Sequence, residues 1–231
     1  MFPTRKLAGS VDLPVDATFW VPKRSEIGDE GFGYFRDVWA IVNVRVGEAR
    51  ALIRDELQLA HTVGKLARDA EHFDDLAHVV EGGLDWDSDI VLSDRERDIL
   101  AEFVGEDEPA QIEGLELGVG GLVYALSAVG MFPAASCRGH VGARAWSDVP
   151  VVFFATDRYR ATQLQALAAE GHCRFSIDYA RPEMIAVSGR SIKDTMALAG
   201  AVIDARSRFK PPRGVKRHSA AESNQLKLFE L

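Results

Sequence analysis

The fold is decided by residues 151–187, which read VVFFATDRYRATQLQALAAEGHCRFSIDYARPEMIAV. The stretch opens with five apolar residues, as expected for a buried strand. Asp157 then precedes a helical repeat of apolar residues that stops at Gly171. Apolar and polar residues next alternate through Tyr179, and a turn at Pro182 leads into a second apolar run. The stretch therefore predicts a strand, a helix and an antiparallel pair of strands.

The flanking sequence extends this pattern on both sides. Upstream, a helix is predicted over residues 114–129, followed by a short strand that ends at Cys137. Downstream, Ser191 and Asp194 have the spacing of a capping box and precede a last helix. The predicted order is helix, strand, strand, helix, strand, strand, helix, which favours an open antiparallel sheet with helices packed on one face.

Residues 1–105 are predicted to be mostly helical. Apolar stripes at helical spacing cover residues 49–63 and 66–80, and Ser93 with Glu96 forms a capping box before a helix over residues 94–104. The sequence thus predicts an α+β protein in three parts: a mostly helical N-terminal region (1–105), an α+β domain (106–208) and a flexible basic tail (209–231).

Cysteine content and hydropathy bear on the compartment. Cys137 and Cys173 are the only cysteines of the 231 residues, too few for a disulfide framework, so we expect a cytoplasmic protein. Residues 117–137 carry no charge and are long enough to span a membrane. Gly130 and Pro133 interrupt that stretch, which predicts a buried helix followed by a buried strand and no membrane contact.

Charge is distributed unevenly along the chain. Residues 206–231 contain seven Lys or Arg and two Glu, which gives a charge of +5. Because the net charge of the chain is −8, residues 1–205 carry −13. An acidic body does not suit broad binding to DNA or RNA. The basic tail could still touch a phosphate backbone, and the residues expected to do so are Lys210, Arg213, Lys216 and Arg217.

The tail ends in Gln225-Leu226-Lys227-Leu228-Phe229-Glu230-Leu231. Its first five residues resemble the short peptide by which bacterial polymerases and repair factors dock on the β sliding clamp. The resemblance implies Gln225 as the polar anchor, Leu228 and Phe229 as apolar anchors, and Leu226 in support. Lys227 departs from the small or acidic residue that is usual there. The alternative is that the last apolar residues pack on the protein's own core.

One segment of the core suggests chemistry, Ser136-Cys137-Arg138-Gly139-His140. A turn at Gly139 could bring the His140 imidazole beside the Cys137 thiol and make that thiol nucleophilic. Asp148 or Asp178 could orient the imidazole, and the sequence does not choose between them. Two other interpretations stay open: a buried structural cysteine, and substrate binding without covalent chemistry.

A zinc site that adds His172 and Cys173 is disfavoured, because adjacent strand residues point to opposite faces. No metal or other cofactor is therefore predicted. The Ser-Cys-x-Gly pattern is also similar to the Ser-Cys-Ser-Gly-Arg segment of the wybutosine-synthesis family that acts on tRNA, with His140 in place of the Arg. We carry no function across from that short match.

Four glycines lie in the first part of the helix predicted over residues 114–129: Gly114, Gly118, Gly120 and Gly121. Their spacing matches neither glycine-rich phosphate-binding pattern. Close packing against another helix is the favoured interpretation.

Two hypotheses for function follow. In the first, the protein is an accessory factor of bacterial DNA replication, DNA repair or phage-related DNA processing that docks on the sliding clamp. In the second, it is a thiol- or metal-dependent enzyme that acts on a nucleotide or nucleic acid at Cys137 and His140.

Overall fold

A computed structural model of the chain describes residues 2–23, 27–28, 31–32, 41, 43–84, 89–106, 108–112, 114–141, 147–179 and 181–210. The helices are α1 (Val46–Leu66), α2 (Ala70–Gly82), α3 (Asp94–Leu100), α4 (Gly120–Ala128), α5 (Arg158–Glu170) and α6 (Ile192–Asp204). The strands are β1 (Ile27–Gly28), β2 (Gly31–Phe32), β3 (Phe132–Cys137), β4 (Val151–Ala155), β5 (Arg174–Asp178) and β6 (Arg181–Ser188). A 3-10 helix at Arg206–Phe209 follows α6.

The sheet of the second half is antiparallel throughout and has the strand order β3-β4-β6-β5. Its central strand β4 pairs Val152 with Ser136 on one side and with Val187 on the other. The predicted α+β class and the predicted order of elements from α4 to α6 are confirmed.

Helices cover one face of this sheet. Val152, Phe154 and Val187 point into a buried cluster that also takes in residues of α1, α4, α5 and α6. A second cluster joins α1, α2 and α3 to Leu117 and to Ile192 at the start of α6. Helix α1 therefore belongs to both clusters and links the N-terminal helices to the sheet.

Of the three helix caps that the sequence predicted, the structure confirms two. Ser93 and Glu96 form the expected reciprocal box at α3, and Asp157 accepts a hydrogen bond from the Arg160 backbone at α5. The capping box predicted at Ser191 was wrong. The Asp194 carboxylate instead accepts hydrogen bonds from the Arg190 amide at 3.0 Å and from the Arg190 guanidinium at 2.9 Å, so Arg190 takes the place of the Ser191 amide as donor.

The uncharged stretch 117–137 forms α4 followed by β3, as predicted. Among the described residues, no helix is both long enough and apolar enough to cross a membrane.

Candidate functional site

The chain turns sharply directly after β3, and this turn brings Cys137 and His140 together. Gly139 has φ +79°, and a Cβ there would lie 2.6 Å from the carbonyl carbon of Val149. The Gly139 amide donates to Cys137 Sγ at 3.4 Å, and the His140 amide donates to the Ser147 carbonyl at 3.1 Å. Only glycine fits this turn, so the Cys-x-Gly-His spacing follows from the local backbone.

Asp74 of α2 orients the His140 ring. Its Oδ1 atom lies 3.2 Å from His140 Nδ1, and its Oδ2 accepts from the Val141 amide at 3.3 Å. The predicted orienting acids were wrong, since neither Asp148 nor Asp178 bonds to the imidazole. Asp178 pairs with Arg181 within its own hairpin instead.

Arg138 is a buried cation within the same cluster. Its Nη1 donates to Asp74 Oδ1 at 2.7 Å, and its Nε lies 3.1 Å from Glu81 Oε1 without making a directed hydrogen bond. Burial raises the pKa of Glu81 to about 7, against the opposing effect of Arg138. Arg138 Nη1 also lies 3.0 Å from His140 Nδ1. Both nitrogens are directed at Asp74 Oδ1, so we assign the Nδ1 proton of His140 to the bond with Asp74.

Glu116 faces the other side of the imidazole. Its Oε1 lies 3.4 Å from His140 Nε2, and its Oε2 accepts from the Arg138 amide at 2.6 Å. One potential ligand atom from each of Glu116, Cys137 and His140 lies within 4.8 Å of the other two. These three side chains are of the types that bind transition metals.

The carboxylates favour the charged form of His140. The hydrogen bond to Asp74, followed by those to Cys137 and Glu116, raises the pKa of His140 to about 11. Burial alone would raise the pKa values of Asp74 and Glu116, but the contacts with His140 and Arg138 outweigh it and lower both. A His140 with both ring nitrogens protonated is an acid at neutral pH, so this arrangement does not make it a general base.

A small opening leads from the surface to His140. Its lining residues are Pro3, Arg5, Phe73, Arg138, Gly139, His140, Val141, Asp148, Pro150, Arg190 and Ile192. The Phe2 ring packs edge-on against Phe73 with centroids 5.8 Å apart, and the Arg5 amide donates to the Arg190 carbonyl at 2.9 Å. These contacts hold the N-terminal segment beside the opening.

The charges at this opening differ from those of the acidic body. Arg5 forms no ion pair within the described part of the chain, whereas Arg190 donates to Asp194 from Nε and Nη2. The other charged groups that line the opening are Arg138, His140 and Asp148. Carboxylates contact Arg138, His140 and Arg190, so Arg5 is the lining cation that has no ion pair among the described residues.

The remaining predicted site residues lie elsewhere. His172 is exposed and Cys173 is buried directly before β5, and neither joins the Cys137 cluster. Lys210 is exposed after the 3-10 helix, and its carbonyl accepts from the Tyr159 hydroxyl. Arg213, Lys216, Arg217 and the peptide Gln225–Phe229 lie outside the described residues.

Sequence inspection missed Asp74, Glu81 and Glu116. The sequence does contain a pattern that places Asp74 and Glu81 together, because residues seven apart on a helix share one face. Asp74 and Glu81 are therefore carboxylates two turns apart on α2. No comparable signal marks Glu116, which reaches the site because Leu117 donates its amide to Glu81 at 2.7 Å.

Comparisons with known proteins found no relative of this chain. No protein-family model matches the chain, and neither a curated protein nor a solved structure is significantly similar to it.

Proposed function

We propose that the core is an enzyme that acts on a phosphate-bearing group of a nucleotide or nucleic acid at the Cys137–His140 site. The observation that supports this is the opening at His140, which is lined by the exposed Arg5 and Arg190 and by the buried Arg138. Guanidinium groups match phosphate oxygens in charge and in geometry, which makes arginine a frequent phosphate ligand.

The distribution of charge along the chain further restricts the class of substrate. Residues 1–205 carry a net −13, which repels an extended polyanion. A mononucleotide or the end of a nucleic acid strand presents phosphate to the opening without lying along the acidic surface. We therefore propose a terminal phosphate, and not the interior of a duplex, as the recognised group.

Binding of a 5′-phosphorylated oligonucleotide tests this proposal. Arg5→Gln should weaken binding about 10-fold or more, because one charged hydrogen bond contributes roughly 1.5–3 kcal/mol. Lys6→Gln is the matched control, since Lys6 is an exposed cation that does not line the opening. Equal losses in the two variants, or equal binding of the oligonucleotide without its phosphate, would contradict a phosphate site at the opening.

The tail supports a second candidate function, docking on the β sliding clamp as a cytoplasmic accessory factor of bacterial DNA replication or repair. The observation that favours it is the sequence Gln225-Leu226-Lys227-Leu228-Phe229 at the end of a basic, proline-containing segment. Docking would bring the core to DNA ends at the replication machinery, so the two functions are compatible. A single short peptide should bind with a Kd of roughly micromolar order.

Fluorescence anisotropy tests the docking. A labelled peptide of residues 219–231 is titrated with the sliding clamp of the source organism, and a Phe229→Ala peptide serves as the control. Saturable binding that is lost in the control supports docking. Equal weak binding of both peptides, with full-length protein also failing to bind the clamp, would reject it.

A further inference from the structure

We propose that Glu116, Cys137 and His140 bind a zinc-class transition-metal ion, with a fourth coordination position left for water or substrate. The three side chains supply a carboxylate oxygen, a thiolate sulfur and an imidazole nitrogen. Thiolate and imidazole select zinc and similar ions over magnesium or calcium, which prefer oxygen ligands alone. Three protein ligands are typical of catalytic zinc, whereas structural zinc uses four.

The spacing of the ligand atoms suits tetrahedral coordination. His140 Nε2 and Glu116 Oε1 lie 3.4 Å apart. Zinc–nitrogen and zinc–oxygen bonds of about 2.1 Å at a tetrahedral angle place those two atoms about 3.4 Å apart. Cys137 Sγ, one ring nitrogen of His140 and one carboxylate oxygen of Glu116 lie within 4.8 Å of one another. A zinc–sulfur bond of about 2.3 Å in a tetrahedral site places the sulfur about 3.6 Å from the other two ligand atoms, so metal binding requires a small side-chain adjustment.

Each proposed ligand is also held from behind by the protein. Asp74 accepts the Nδ1 proton of His140 and so leaves Nε2, the nitrogen that faces Glu116, as the atom that can bind a metal. The Arg138 amide holds Glu116 Oε2 and leaves Oε1 available, while the Gly139 amide donates to Cys137 Sγ and holds it in place. Such supporting contacts are what fix ligand orientation in metal sites.

In a neutral imidazole the Nε2 lone pair would face the Glu116 carboxylate, so a cation must lie between the two groups. With the Nδ1 proton donated to Asp74, neither Nε2 nor the Glu116 carboxylate has a hydrogen to offer the other. Either a proton on Nε2 or a metal ion must occupy the space. With a proton on Nε2, the cluster is a network of ion pairs that needs no metal. The experiment must therefore distinguish a proton from a metal ion at this position.

Burial also favours a ligand role for Cys137 over a nucleophilic one. Its side chain has no solvent exposure, whereas a catalytic nucleophile must reach the substrate. The side chains of His140 and Glu116 are 25% and 31% exposed, so solvent reaches the ion from their side. Metal binding stands on this geometry alone, and only its use in catalysis rests on the proposed function.

Cobalt(II) is the probe for the first measurement, because a cobalt–thiolate bond gives a charge-transfer absorption band. Full-length protein freed of metal by a chelator should bind one equivalent of cobalt with that band. Cys137→Ser should abolish the band, whereas Cys173→Ser should keep it. Cys173 is the only other cysteine and is equally buried, so it is a matched control.

Zinc affinity, measured by competition with a chromophoric chelator, tests the supporting contact. Asp74→Asn should weaken zinc binding about 10- to 100-fold, the usual effect of removing such a contact. Glu116→Gln, at a side chain with 31% exposure, replaces Cys137→Ser if that variant does not fold, and it should weaken zinc binding more than Asp74→Asn does.

Either of two results would overturn the metal site: no stoichiometric cobalt binding by wild type, or a band that persists in Cys137→Ser. Both would assign the cluster to ion pairs alone. The phosphate proposal is judged separately, from oligonucleotide binding by the Arg5 and Lys6 variants. The two proposals can therefore fail independently.

Discussion

Glu56 is a fully buried acid that joins two helices. From α1 it accepts hydrogen bonds from the Gly118 amide at 2.9 Å and from the Gly121 amide at 3.0 Å. These amides lie at the start of α4, where backbone donors have no partner within the helix. Glu56 therefore satisfies them from another helix, and burial raises its pKa from 4.5 to about 7 despite these bonds.

The raised pKa of Glu56 predicts a pH-dependent stability. Below pH 4.5 both the folded and the unfolded forms hold the proton. Between pH 4.5 and about 7 the unfolded form ionises first, so this group's contribution to stability is lost as the pH rises. The full difference is about 3 kcal/mol. The free energy of unfolding, measured by urea denaturation from pH 5 to 8, should therefore fall relative to that of Glu56→Gln, which cannot titrate.

Glu71→Gln is the control for this experiment. The Glu71 side chain is exposed on α2, so its replacement should leave the pH profile of the wild type unchanged. A constant difference between wild type and Glu56→Gln across the range would show that Glu56 ionises normally.

At the scale of elements, the start of α4 is fixed by close contacts with α6. Gly118 has φ +89°, and a Cβ there would lie 2.3 Å from the Cβ of Ile192. Its carbonyl accepts from the Thr195 hydroxyl at 2.7 Å. Close packing is therefore confirmed for Gly118, Gly120 and Gly121, whereas it was wrong for Gly114, where a Cβ would meet nothing within 4 Å.

Gly118→Ala should therefore destabilise the protein by about 2–4 kcal/mol, because it adds both a steric clash and a left-handed backbone conformation. Gly200→Ala is the contrasting change. Gly200 lies within α6 with nothing within 4 Å of a built Cβ, so alanine should stabilise the helix by about 0.5–1 kcal/mol. Chemical denaturation of both variants measures the two effects, and equal effects of the same sign would contradict the packing argument.

At the scale of the whole molecule, local patterns predicted more than distant contacts. Strands β4 and β6 could be predicted from continuous apolar runs, β5 from the alternation of apolar and polar residues, and α5 from apolar residues at helical spacing. Helix α4 was predicted from residue 114 but begins at Gly120, because acids of α1 and α2 hold the preceding amides in another conformation. The turn between Cys137 and His140 could also be predicted, because the residues that form it are close together in the sequence. Asp74 and Glu116 were not, since 66 and 24 residues separate them from His140.

The boundary between core and tail gives the last prediction. Phe209 is 1% exposed and belongs to the cluster under the sheet, and the Tyr159 hydroxyl donates to the Arg208 carbonyl at 2.8 Å. The core therefore extends through the 3-10 helix, whereas the composition of residues 211–231 predicts a solvated tail. A chain of residues 1–210 should unfold with the free energy of the full chain. A chain of residues 1–205 should lose about 3–5 kcal/mol, the usual effect of removing a buried Phe side chain.

The same two chains separate the alternatives for the terminal apolar residues. Packing of Leu228 and Phe229 on their own core would make residues 1–210 clearly less stable than the full chain, and urea denaturation would detect the difference. Docking on the clamp predicts instead that residues 1–210 keep full stability and lose only clamp binding. Because stability and clamp binding are measured independently, loss of both would show a tail that packs on the core and also contributes to docking, which neither alternative alone predicts.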